Sequence, residues 1–215
     1  MTTLIIGAHG QVGQHIVAQL AATGETVYGG IRNAEQAAVI EKLGGQPRMV
    51  NLMGTADGLV PAMNDVDTVI FSAGSGGSTG DDMTLNIDLD GAVKSMIATE
   101  KAGIKRFIIV SAMGTDDRTF WEKSGIRPYY VAKYYADQWL QHRTNLDYTI
   151  VRPGILTNDA PTGKITLDTA TAATTKISRA DVAATVVAVV KHPLPKQIIT
   201  IVNGDVPVTD AVLNA

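Results

Sequence analysis

Short apolar, β-branched runs alternate along almost the whole chain with stretches whose apolar residues recur at i, i+3 and i+4. The first run, Thr2–Ile6, reads as one buried strand. Val12, Ile16, Val17 and Leu20 then fall on one face and predict a helix over 11–23. The alternation continues with a strand over Thr26–Ile31, a helix over 34–43 closed by Gly44-Gly45, and a strand over 48–52. A short helix at 56–63 precedes an uninterrupted apolar strand at 66–72 and a glycine-serine stretch at 73–80. The longest helical pattern spans 84–102 and stops at Gly103, before a strand over Arg106–Val110. Residues 112–128 look polar and irregular, and a helix at 129–143 leads to a strand at 148–151. Ser178 and Asp181 have capping-box spacing for a helix running to Lys191. A last strand at 198–202 and a short helix over Val208–Leu213 close the chain.

Strands apolar on both faces, each followed by a helix, imply a parallel sheet covered on both sides. The expected class is α/β, a Rossmann-type doubly wound parallel sheet with helices on both faces and ligands at the strands' carboxyl ends. No linker or repeat divides the 215 residues, so one domain over 1–215 is expected. Segments 111–128, 153–180 and 203–215 break the pattern and are expected to form a small substrate lobe.

Composition narrows the function classes. A net charge of −3 without a basic run argues against nucleic acid as a partner. The absence of cysteine excludes thiolate catalysis and disulfides. No apolar stretch approaches the ~20 residues of a membrane span, and the start of the sequence reads as strand rather than leader, so a cytoplasmic location is expected.

The candidate chemistry begins at Gly7-Ala8-His9-Gly10-Gln11-Val12-Gly13, between the first strand and the first helix. Gly7 permits a sharp exit from the strand, Gly10 lets backbone approach a pyrophosphate, and Gly13 lets the helix pack closely. The helix N-terminus would then face the phosphates with free N–H groups. Where NAD-binding folds usually place an acid after the second strand, this chain has Arg32, suited to a 2′-phosphate, so NADP is favoured over NAD. Arg32 is alternatively a solvated residue opening a surface helix. Asn51-Leu52 would reach the adenine, although Asn51 also suits a plain turn. Ala73-Gly74 would pass beside the adenosine ribose, and the backbone of Pro153, Gly154 and Ile155 would border the nicotinamide. Asp81, Asp82, Asp88 and Asp90 fit no ligand spacing; acids early in a helix are expected from its dipole, and no metal site is expected.

Tyr129 and Lys133 lie four residues apart, which sets phenol and ammonium on one helix face. The lysine charge is expected to lower the phenol's pKa, so that Tyr129 can pass a proton to a carbonyl while hydride arrives from the nicotinamide. Lys133 could also hold the nicotinamide ribose, and Ser111, directly after a strand, could hold the carbonyl. Tyr130 and Tyr134 form an equivalent pair without lysine and could simply pack.

These segments, with Ile31-Arg32-Asn33 and the phrases 105–111 and 147–154, resemble atypical short-chain dehydrogenases/reductases of the NAD(P)H-binding, NmrA-like kind. The resemblance implies a Rossmann fold binding NADP(H), with Ser111, Tyr129 and Lys133 matching the catalytic triad of active members. Asn51 departs from it, since an Asp is expected there. Members include reductases of quinones or flavins and cofactor-sensing regulators without turnover. The expected function is therefore NADPH-dependent reduction of a small carbonyl, quinone or flavin; the alternative is a sensor with a protein partner.

Overall fold

Leu4, Ile5 and Ile6 are buried on both faces in β1 (Thr2–Ile6), as their apolar run dictates. The computed structural model describes residues 1–215 and continues with α1 (Gln11–Ala21), β2 (Thr26–Ile31), α2 (Ala37–Lys42), β3 (Gln46–Met49), α3 (Ala56–Leu59) and β4 (Thr68–Phe71). One helical segment follows, made of α4 (Asp81–Met83), a π-helix (Thr84–Gly91) and α5 (Ala92–Lys101). Next come β5 (Arg106–Val110), α6 (Arg118–Ser124), α7 (Arg127–Arg143) and β6 (Asp147–Pro153). The remainder is β7 (Ile155–Thr157), β8 (Lys164–Thr166), β9 (Lys176–Ser178), α8 (Arg179–Lys191), β10 (Gln197–Asn203), β11 (Val206–Pro207) and α9 (Val208–Leu213).

The main sheet has nine strands in the order β11-β8-β10-β6-β5-β4-β1-β2-β3. From β3 to β10 every pairing is parallel. Strand order reverses between β1 and β4, the crevice at which such sheets bind ligands. Ile6 is level with Gly30 on one side and Phe71 on the other, so the three loops leaving these strands open at one height.

Each face carries its own core. Ile16, Val17 and Leu20 of α1 pack with Val182 and Val186 of α8 on one side. Met96 of α5 with Ala136 and Leu140 of α7 covers Phe71 and Phe107 on the other. Each such buried aliphatic side chain stabilises the fold by roughly 1.5–3 kcal/mol relative to exposure. No helix is long and apolar enough to cross a membrane.

Several boundaries differ from the periodicity. Residues 118–124 form a helix where irregular chain was expected: Asp117 caps it by accepting from the Thr119 and Phe120 N–H groups at 2.8 and 3.1 Å, and Gly125 (φ 73°) ends it. Seven residues are too few to show a helical period, and Trp121 anchors the helix instead, donating to the Gly114 and Thr115 carbonyls. The helical pattern at 84–102 begins with π rather than α winding, carrying Asp88 inward. Ser178 does cap α8, accepting from the Asp181 N–H at 3.0 Å. No reciprocal capping box forms, because the buried Asp181 carboxylate instead accepts from the Thr162 and Gly163 N–H groups, both at 2.9 Å. Asp181 thereby ties the 153–180 segment to α8. That segment carries β7 and β9, which pair as a separate two-stranded sheet, and β8, which extends the main sheet antiparallel to β10.

Candidate active site

The loop from β1 to α1 can exist only with glycine at two positions. Gly7 has φ +88°, and a Cβ on it would stand 2.5 Å from the Ala73 nitrogen of the chain leaving β4. A Cβ on Gly13 would overlap the Gly7 carbonyl oxygen and the Ala8 backbone. The Gly10 N–H donates to the Gly7 carbonyl at 3.0 Å and closes the turn. Gly10 caps α1 without a side-chain hydrogen bond, and the first turn holds no acidic residue. The N–H groups of Gln11, Val12 and Gly13 therefore point from the helix start without an intrahelical acceptor, a geometry suited to phosphate oxygens. The Ala8 and Val12 side chains face the core, so only main-chain groups of these two residues are available to a ligand.

A cleft of about 450 Å³ opens along this loop, within the range of small-molecule sites. Of the nucleotide candidates, Gly7, His9, Gly10, Arg32, Asn51, Leu52, Ala73 and Gly74 line it. Arg32 lies exposed at the end of β2, and its N–H donates to Gln36 Oε1 at 3.1 Å. The Asn51 side chain accepts from the Met53 N–H at 3.0 Å, so Asn51 builds the turn after β3 while it lines the cleft. Ser75 and Thr79 of the glycine-serine stretch, with Met83 of α4 and Ile87 of the π-helix, extend the wall beyond the sequence-derived set. Pro153, at the end of β6, and the Gly154 and Ile155 that follow do not line this cleft. A Cβ on Gly154 would overlap the Thr175 carbonyl, so this glycine is explained by packing against the strand that becomes β9. Taken together, a bare helix start, a cradle intolerant of Cβ atoms and an exposed cation at the rim fit a dinucleotide.

Tyr129 and Lys133 do share a face of α7, with the Lys133 ammonium 5.5 Å from the phenol ring centroid. Lys133 is almost wholly buried, contacts Asp88 Oδ1 at 3.3 Å and reaches the Val110 carbonyl at 3.4 Å. The phenol does not behave as the spacing suggested. Burial raises the Tyr129 pKa, Lys133 opposes the rise, and Asp88 and Asp137 add to it, so the net displacement is upward. Burial disfavours the Lys133 ammonium, but the Tyr129 oxygen and the carboxylates of Asp88 and Asp137 outweigh it and hold the lysine above its ordinary value. Tyr130 and Tyr134 do pack: Tyr130 stacks edge-on with Phe120, and Tyr134 with Trp121, each at 5.3 Å.

Ser111 is buried at the end of β5, and its hydroxyl donates to Asp137 Oδ2 at 3.0 Å rather than standing free for a carbonyl. The same oxygen accepts from Arg152 Nε at 3.1 Å and lies 3.0 Å from Nη2, while Arg152 Nη1 meets Asp116 at 2.7 Å. Asp137 Oδ1 is buried without a partner. Burial pushes the Asp137 carboxyl up to about 6 despite Arg152, Ser111 and Lys133, which all favour its ionised form. Asp88, Asp137 and Arg152 were not among the sequence candidates. Asp137 could have been found there, since it lies one turn beyond Lys133 on the same face. The helix dipole accounts for acids at this end of the segment, yet Asp88 is buried, because α7 packs over the π-helix and gives it a cation to meet.

A parallel sheet reversing beside its first strand, with a glycine turn and cleft at the reversal, defines a Rossmann-type dinucleotide-binding fold. Comparison with known proteins places it further. The sequence model of the NAD(P)H-binding family matches residues 7–193, and the chain belongs to this family. It is 41% identical over 217 residues to an uncharacterized sugar epimerase, YhfK, of Bacillus subtilis, spanning 98% of each protein. A solved Bacillus halodurans protein, whose name proposes an NAD-dependent epimerase/dehydratase, is 37% identical with a TM-score of 0.92 and full coverage of both chains. An anaerobillin reductase, ChuY, of Escherichia coli O157:H7 is 26% identical with a TM-score of 0.80, covering 96% of this chain and 98% of that one.

Proposed function

We propose that the protein is an NADPH-dependent oxidoreductase that reduces a small carbonyl, quinone or flavin substrate. The observation that carries this reading is the pairing of Tyr129 with Lys133 at the sheet end that also bears the glycine loop. When bound, the dinucleotide supplies a hydride. The protein's part is positioning and proton supply: Gly10 and the α1 start hold the diphosphate, and Arg32 takes the 2′-phosphate. Lys133 steadies the ribose side, and the Tyr129 phenol donates a proton to the substrate oxygen. Burial keeps the Tyr129 phenol in its protonated form, the form that reduction requires, while making the proton harder to give up. Sugar epimerisation, suggested by one relative's name, would begin by taking a proton from a hydroxyl and would favour a phenolate. The anaerobillin reductase among the structural relatives supports the reductive reading. For a flavin or quinone, hydride transfer by proximity would leave Tyr129 dispensable.

A second reading, a sensor whose cofactor-bound surface meets a protein partner, draws on Ser111. Its hydroxyl is engaged by Asp137 and so is withdrawn from substrate. Steady NADPH oxidation across a panel of carbonyls, quinones and flavins supports the enzyme; tight binding with no turnover supports the sensor. Within the enzyme reading, Tyr129→Phe lowers kcat for carbonyl reduction by about 10²–10⁴-fold. An unchanged rate on carbonyl substrates removes Tyr129 from the mechanism.

A further inference from the structure

Asp88 touches both halves of the site. Its Oδ2 accepts from the Ser75 N–H at 2.9 Å, and its Oδ1 lies 3.1 Å from where a Gly74 Cβ would stand. Gly74 and Ser75 form the wall of the nucleotide cleft. From the other side, Oδ1 meets the Lys133 ammonium at 3.3 Å, with both side chains almost sealed from solvent. A buried charge of either sign would be strongly disfavoured alone, so each holds the other. The wide winding of the π-helix sits at this point, a device often found at functional sites.

We propose that Asp88 is a positioning residue that anchors Lys133 against the cleft wall and cancels its charge beside Tyr129, so that the phenol holds its proton despite the adjacent ammonium. In its catalytic sense the proposal rests on the reductase reading given above. The groups facing the phenol are few. On α7 they are Lys133 and Asp137, with the Tyr130 ring edge-on at 5.4 Å. The π-helix contributes Asp88. Ser111 at the end of β5 and Arg152 of β6 act one step removed, through Asp137. Lys133 is the one cation that acts on the phenol directly, and Asp88 is its nearest counter-charge. Removing that counter-charge leaves the ammonium opposed by Asp137 alone, which favours phenolate by about one pKa unit or more. Asn at this position still offers an acceptor to the Ser75 N–H, so the wall at Gly74 keeps its hydrogen bond.

The test uses the full chain labelled at tyrosine Cζ, titrated by NMR from neutral pH upward, with Tyr129→Phe assigning the resonance. In the wild type the Tyr129 signal is expected to ionise later than an ordinary tyrosine. In Asp88→Asn it is expected at least one pH unit earlier than in the wild type. The double variant Asp88→Asn/Lys133→Met removes both charges and is the one best tolerated by a buried site. Its Tyr129 is expected to titrate within about half a unit of the wild type, since a cancelled pair exerts little net effect. Coincident titrations in wild type and Asp88→Asn overturn the proposal. So does a double variant displaced as far as the single one. None of these readouts needs turnover, so a protein that reduces nothing but shows the predicted titrations refutes the reductase reading and leaves the charge cancellation standing.

Discussion

Replacing Asp137 by Asn removes a carboxyl on which two opposing tendencies meet. Two contacts from Arg152, at 3.1 and 3.0 Å, favour the ionised form, whereas burial from solvent disfavours it. Burial wins, and the group sits at about 6 rather than its ordinary 3.8. Asp137 Oδ1 has no partner in the fold and can carry the proton. The displacement corresponds to roughly 3 kcal/mol, at about 1.4 kcal/mol per tenfold. Its sign follows from proton counting. Between about pH 4 and 6 the folded chain holds a proton at this site that the unfolded chain has released. Stability contributed by the protonated carboxyl is therefore complete below pH 4 and is lost as pH rises through 6. Asn cannot ionise, so Asp137→Asn escapes this loss while keeping an acceptor for Ser111 and Arg152. Urea denaturation of both proteins from pH 4 to 8 measures the difference directly. The wild type is expected to fall relative to the variant by up to about 3 kcal/mol between pH 4 and 6, with a constant gap above pH 7. Parallel curves refute the reasoning. A wild type that gains on the variant as pH rises also refutes it, because the Arg152 pair would then have outweighed burial.

Two further perturbations address the nucleotide half. Gly13→Ala places a methyl group into the Gly7 carbonyl and is expected to destabilise the chain by about 1–3 kcal/mol, shifting the thermal midpoint downward by several degrees, and to abolish the midpoint rise given by dinucleotide; a variant that melts and binds like the wild type contradicts the cradle. Arg32→Ala is expected to weaken NADPH binding roughly ten- to a hundredfold in calorimetry while leaving NADH nearly unchanged, the scale of one charge-assisted contact. Equal losses for both cofactors would sink the 2′-phosphate assignment.

What was legible in the sequence was local. The strand, glycine turn and helix of residues 2–21 are written within one stretch, and Gly13 has its steric reason close by in the chain. Alternating apolar runs likewise specified a parallel sheet, since strands buried on both faces admit few other arrangements. Contacts that depend on distant segments were not legible. The need for glycine at position 7 comes partly from the chain leaving β4, which passes against it. The burial of Asp88 depends on α7, some forty residues further on, and could not be told from an ordinary helix-start acid. The same holds for Ser111, whose placement at a strand end was readable but whose hydroxyl is engaged by a carboxyl on α7. The phenol–lysine spacing was read correctly as one face, whereas the sign of its electrostatics required knowing the two carboxylates and the burial around it.

The central claim is that the amino-terminal turn holds a diphosphate against the start of α1. Titration of the wild-type protein with NADPH in a calorimeter, checked by thermal melting at about a hundred times the measured Kd, tests it most directly. A saturable one-site heat is expected, with a melting-point rise of roughly 5–10 °C from about 2.7 kcal/mol of linked stabilisation. No heat and no rise at millimolar NADPH would contradict it.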